Sequence, residues 1–118
     1  MQRVFRPLSA LFVGMLVSWS ASAWGMSDTT RNLLSHIGQV SAAPAICRDA
    51  EVDDTKVALL VVMAGIDLER PEHRRAIEAK MKETVAAFRG KSGDVGCAAV
   101  FMLYGPNGQN VPGLVRRK

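Results

Sequence analysis

Apolar residues recur at helical spacing in four stretches of this chain. In residues 27–40, SDTTRNLLSHIGQV, the positions Leu33, Leu34, Ile37 and Val40 fall at i, i+1, i+4 and i+7. That is one side of a helix, and Ser27 or Asp28 is placed to cap it. Gly38 weakens the pattern, and the narrow apolar face suits a mobile arm. Ser41-Ala42-Ala43-Pro44 reads as a break, with Pro44 opening a short turn that carries Ile46 and Cys47. Residues 53–64, DDTKVALLVVMA, predict a second helix. Asp53 and Asp54 sit where the helix dipole favours acids, and Gly65 stands where a C′ glycine belongs. Val57 to Met63 is apolar almost all round, which places this helix at the centre of the fold. The β-branched Val61 and Val62 leave a buried strand as the alternative.

Residues 71–89, PEHRRAIEAKMKETVAAFR, give the clearest pattern. Pro71 fits the first helical position. Ile77, Met81, Val85 and Phe88 form one apolar stripe, and Glu78 with Lys82 makes an i,i+4 pair. The stripe predicts a core face, with Arg74, Lys82 and Arg89 in water. Gly90 stops the helix. After Lys91-Ser92-Gly93, Asp94 is placed to cap a fourth helix, VGCAAVFMLY, ended by Gly105-Pro106. Gly105-Pro106-Asn107-Gly108 and Val111-Pro112-Gly113-Leu114 have the chemistry of tight turns. The last residues read as extended. The fold class that follows is all-α: a small bundle of about four short helices.

The first 25 residues change the picture. Arg3 and Arg6 make a positive start, Leu8 to Trp19 an apolar run, and Ala21-Ser22-Ala23 a small-residue cleavage site. This is the pattern of a secretory signal peptide, residues 1–23, with the cut between Ala23 and Trp24. The apolar run falls short of the roughly 20 residues that a spanning helix needs. Residues 24–118 are then one small helical domain, and the expected location is the periplasm or the exterior.

Charge matters less than it first looks. The chain has 15 Lys+Arg; losing Arg3 and Arg6 leaves 13 against 11 Asp+Glu, a net charge of +2. Arg116, Arg117 and Lys118 form a basic tail, read as a solvated terminus. The same tail, with the basic side of helix 71–89, offers a membrane surface contact as the alternative function. Nucleic-acid binding is not expected, because the mature chain has few aromatic platforms to interleave with its bases.

An exported location gives meaning to Cys47 and Cys97, the only two cysteines. An even pair in an oxidising compartment reads as a disulfide. It would close a loop of about 50 residues, worth roughly 4 kcal/mol in the chain-entropy model, and would join the entrances of the second and fourth helices, with the third closing over the bridge. No redox or haem motif accompanies the cysteines, and His36 and His73 lack zinc-like spacing. His73, among Glu72, Arg74 and Arg75, is expected on a solvated face; His36 is expected at the surface, partly exposed. The acidic run Asp49, Glu51, Asp53, Asp54 lacks the spacing of a calcium loop. No nucleophile–base set or phosphate loop is present. The chain therefore reads as a non-enzyme without cofactor or metal.

An exported chain of this size, helical, with two cysteines some fifty residues apart, loosely resembles the small periplasmic acid-stress chaperones of the HdeA/HdeB kind. It resembles equally the small exported immunity proteins that neutralise toxins. Either resemblance implies a protein that works by binding a protein partner, without catalysis. The high apolar share, 48% of the chain, predicts leftover apolar surface, around Leu33, Leu34 and Ile37 or around Met102 and Leu103. Such surface would serve as a homodimer face or a client-binding face.

Overall fold

The computed structural model describes residues 26–118. The expected signal peptide, with its Ala23/Trp24 cleavage site, lies outside the described residues. The chain is mostly helical: α1 (Asp28–Ile46), β1 (Ala50–Val52), α2 (Asp54–Met63), α3 (Pro71–Ala87), α4 (Gly93–Tyr104) and β2 (Val115–Arg117). Alongside the expected helices stands a short antiparallel ladder, pairing Ala50 with Arg117, Glu51 with Arg116 and Val52 with Val115.

α1 is the spine. The expected break at Ser41–Pro44 does not occur: the helix runs through Pro44 to Ile46. Proline removes one backbone donor and disfavours the helical turn behind it. Here burial outweighs that cost, because Leu34, Ile37, Val40, Ala42 and Ala43 are all buried along α1 while Pro44 itself faces out. The expected arm is thus the element around which the rest is built. Ser27 caps it, its hydroxyl accepting the Thr30 N–H at 3.1 Å.

Two apolar clusters hang on this spine. One gathers Val40, Ala43 and Cys47 of α1 with Ala50, Val100, Tyr104, Leu114 and Val115. The other gathers Leu34 and Ile37 with Ile66. α3 lies along α1, and two glycines let neighbouring helices approach it. A Cβ on Gly38 would stand 2.6 Å from Lys80 Cβ and 2.8 Å from the Ile77 carbonyl. A Cβ on Gly96 of α4 would stand 2.7 Å from the Ile46 carbonyl.

α2 is not central. None of its residues is buried; Val57 and Leu60 lean on the first cluster, and Leu60 and Val61 on the second. Its ends do follow the sequence, with Asp53 accepting the Lys56 N–H and Gly65 at φ 69° beyond the last turn. The stripe of α3 faces α1 but stays half-buried at Ile77, Met81, Val85 and Phe88. Pro71 takes the first turn as expected, and Gly90 at φ 81° follows the end of the helix. Ser92, two residues ahead of the expected Asp94, caps α4.

Candidate functional site

Cys47 and Cys97 are bonded, with Cα atoms 4.8 Å apart. Cys47 caps the C-terminus of α1, its N–H donating to the Ala43 carbonyl at 2.9 Å. The bridge therefore joins the exit of α1, rather than the entrance of α2, to the first turns of α4. The expectation failed because it placed Cys47 after a turn that does not exist. α3 lies on α1 and does not close over the bridge. Cys47 belongs to the first cluster and is buried; the disulfide is framework.

The C-terminal strand completes that framework. The Asp53 N–H donates to the Leu114 carbonyl at 2.8 Å, and the Lys118 N–H to the Asp49 carbonyl at 2.9 Å. Arg116 pairs with Glu51 opposite it and with Asp53, at 3.3 and 3.2 Å. Arg117 lies over the Phe101 ring, 4.5 Å from its centre. The basic tail is solvent-exposed, as expected, but its backbone is paired and Arg116 is held against the acidic run. Capping and cross-strand pairing account for Glu51 and Asp53.

His73 sits deeper than expected, whereas His36 is partly exposed as expected. His73, in the first turn of α3, is only 5% exposed. Its Nδ1 accepts the Asp67 N–H at 3.1 Å, and Asp67 in turn accepts the Glu69 N–H at 2.9 Å. The ring holds the α2–α3 loop onto α3, so the solvated reading is overturned. Its charged neighbours in sequence concealed this: Glu72, Arg74 and Arg75 point out while the third position of the helix points in. His36 is half-buried between α1 and α4, as a partly exposed histidine, but not idle. Its Nδ1 lies 2.9 Å from the Tyr104 hydroxyl. That hydroxyl donates to Gln39 Oε1 and accepts from Asn110 Nδ2 at 3.5 Å. With the tyrosine proton on Gln39, His36 donates from Nδ1. Burial lowers the His36 pKa below its ordinary value. Burial also raises that of Tyr104, against the opposing pull of the Asn110 hydrogen bond.

A cavity of roughly 500 Å³ opens between the N-terminal ends of α1 and α3, lined by Ser27, Thr30, Arg70, Glu72 and His73 among others. Arg70 and Glu72, both on its lining, pair at 3.6 Å, so these two charges answer one another. Among the described residues no group of three His, Cys, Asp or Glu side chains is placed to hold a metal. No described helix is long and apolar enough to cross a membrane.

The surface that stands out is apolar. Leu59, Val62 and Met63 are 58%, 75% and 75% exposed. They fall at i, i+3 and i+4 on α2, one contiguous outer face. Leu68 follows in the next loop, also exposed. On α4, Val95 and Met102 are exposed seven residues apart. The expected patch at Leu33, Leu34 and Ile37 is core instead, with Leu34 and Ile37 buried. Met102 does emerge, beside a half-buried Leu103. What misled the reading of α2 was its all-round apolarity, which signals burial in a bundle and equally serves a helix with one side left for a partner. The fold defines a small, disulfide-stapled helical domain. Comparison with protein-family models, curated proteins and solved structures returns no match.

Proposed function

We propose that this is an exported, non-enzymatic binding protein of the bacterial cell envelope, acting through protein contacts made by the outer face of α2. One observation carries the reading: α2 is strongly apolar yet buries no residue, and it presents Leu59, Val62 and Met63 outward. Contiguous exposed apolar surface marks interaction sites in small soluble domains. The face holds no charge between its apolar positions, and Met63 is flexible and polarizable, a property of surfaces that accept varied partners. This favours capture of unfolded or partly folded polypeptide over recognition of one shaped toxin. The signal-peptide pattern and the disulfide support an oxidising, extracytoplasmic setting. Arg116 is ion-paired with Glu51 and Asp53, which takes one charge away from the membrane-surface alternative.

The test is light scattering from a reduced, aggregating client protein. The oxidised protein at stoichiometric ratio should suppress scattering, and a Val62→Ser, Met63→Ser variant should not. A parent protein inert in this assay, or a variant as active as the parent, contradicts the proposal.

A further inference from the structure

The cavity of about 500 Å³ at the N-terminal ends of α1 and α3 holds one buried donor that the fold does not use. His73 lines it and is only 5% exposed. Its Nδ1 accepts the Asp67 N–H at 3.1 Å, which fixes the neutral ring with the proton on Nε2. Among the described residues Nε2 has no hydrogen-bond partner, and no sealed side-chain nitrogen or oxygen among them goes without one. Nε2 is therefore the edge of the ring that opens to the cavity, a donor with no acceptor. Arg70 and Glu72 stand beside it, the only charged side chains on the described lining. Their head groups are 3.6 Å apart, an ion pair without a hydrogen bond, and both are more than half exposed. Thr30 Oγ1 accepts from Ser27 Oγ at 2.9 Å and keeps its own proton to donate. α3 begins here with Arg70 as its N-cap, and that cap makes no side-chain hydrogen bond. Met26, packed on the second apolar cluster, adds an apolar stretch of wall.

We infer that this cavity binds a free α-amino acid with an apolar side chain, taken as the zwitterion. The carboxylate meets Arg70, the Nε2–H of His73 and the start of α3. The ammonium meets Glu72, and the side chain lies against Met26. A simple anion would gain Arg70 and His73 but face the Glu72 carboxylate uncompensated; a simple cation would face Arg70 in the same way. A zwitterion answers both. Its ammonium and carboxylate are attached to one carbon, so its charges lie close together, as those of Arg70 and Glu72 do. An exposed ion pair is weak, so opening it to admit a ligand costs little. The start of α3 favours the carboxylate over water, and the buried imidazole supplies a donor already held in place by Asp67. The cavity falls within the size range of small-ligand sites, about 300–1,000 Å³, which leaves room for the side chain and for water. It shares no described lining residue with the outer face of α2, so either proposal stands or falls without the other.

The experiment is a titration of the oxidised protein with L-leucine, followed by calorimetry, by backbone NMR shifts and by the ring-nitrogen signals of His73. L-Leucinamide, which lacks the carboxylate, and 4-methylpentanoate, which lacks the ammonium, serve as comparisons. Leucine should bind saturably, with shifts gathered on Thr30, Gly65, Glu72 and His73 and a move of the His73 Nε2 signal. It should bind roughly fivefold more tightly than either analogue, the effect of one partly exposed charge contact. Glu72→Gln should abolish the preference over 4-methylpentanoate, and Arg70→Gln should shrink the preference over leucinamide. Both side chains are exposed, so the two variants should keep the parent's spectrum elsewhere. The comparison of analogues needs only the parent protein, so it decides the matter even where a variant misfolds. Absence of saturable leucine binding overturns the inference. So does equal affinity for either analogue, an unmoved His73 Nε2 signal, preferences unchanged in both variants, or shifts gathered on Leu59, Val62 and Met63.

Discussion

Gly38 and His36 sit two residues apart on α1 and act by different physics. Gly38 is read from sequence as a weak point in a helix, costing up to about 1 kcal/mol against alanine. In the fold it is where α3 comes closest, with Lys80 and Ile77 against it. Gly38→Ala should therefore destabilise by about 1–3 kcal/mol through overpacking, despite the better helix propensity. Urea unfolding measures it, and a stabilised variant would show that the helices have room. His36 acts through its proton. Its folded pKa is lowered by burial, so the unfolded chain holds the proton more tightly. The neutral-ring contribution is whole above the unfolded value, about 6.5, and is lost as pH falls through that value toward the lower folded one. Stability should thus rise with pH across this window. His36→Gln should flatten that part of a melting-temperature profile, and an unchanged profile would contradict the coupling. His73 was illegible for a simpler reason: periodicity assigns faces by neighbours, and a hydrogen bond to a loop amide has no periodicity.

At the scale of elements, α1 and α2 exchanged roles relative to their sequence patterns. α1 looked narrow and broken, yet its second half carries Ala42, Ala43 and Cys47 into the core. Small residues give a weak hydropathy signal but allow close packing, and one outward-facing proline did not break the helix. α2 looked central, yet packs with one side only. Helix ends were far more legible, because caps are local: Ser27, Asp53, Pro71 and Gly65 act where their chemistry places them. The ladder was half legible. The end of the chain read as extended, but a three-residue strand finds its partner only through the fold. Because the outer face of α2 contributes nothing to the core, Val62→Ser with Met63→Ser should change stability by less than about 1 kcal/mol. Chemical denaturation checks it. A loss of several kcal/mol would make the face part of the core and remove it as a contact surface.

The whole molecule depends on one covalent link between its spine and α4. The bond closes a 50-residue separation that contains β1, α2 and α3, so the chain-entropy model gives it about 4 kcal/mol. For a domain of this size that is a large part of total stability. Cys47→Ser should lower the melting temperature by well over ten degrees; a shift of a degree or two would mean that packing around α1 holds the fold unaided. The pairing itself was legible from parity and the leader pattern, whereas its place in the fold was not. With the framework supplied by α1, the bridge and the ladder, the outer face of α2 is left free for contact while its inner side packs on the two clusters. Hydrogen–deuterium exchange on the oxidised protein, with and without an excess of a reduced, unfolded client, tests it most directly. Residues 54–63 should gain protection while α1 and the ladder stay as they were. Protection confined to α4, around Val95 and Met102, or no protection anywhere, would contradict the assignment of α2 as the contact face.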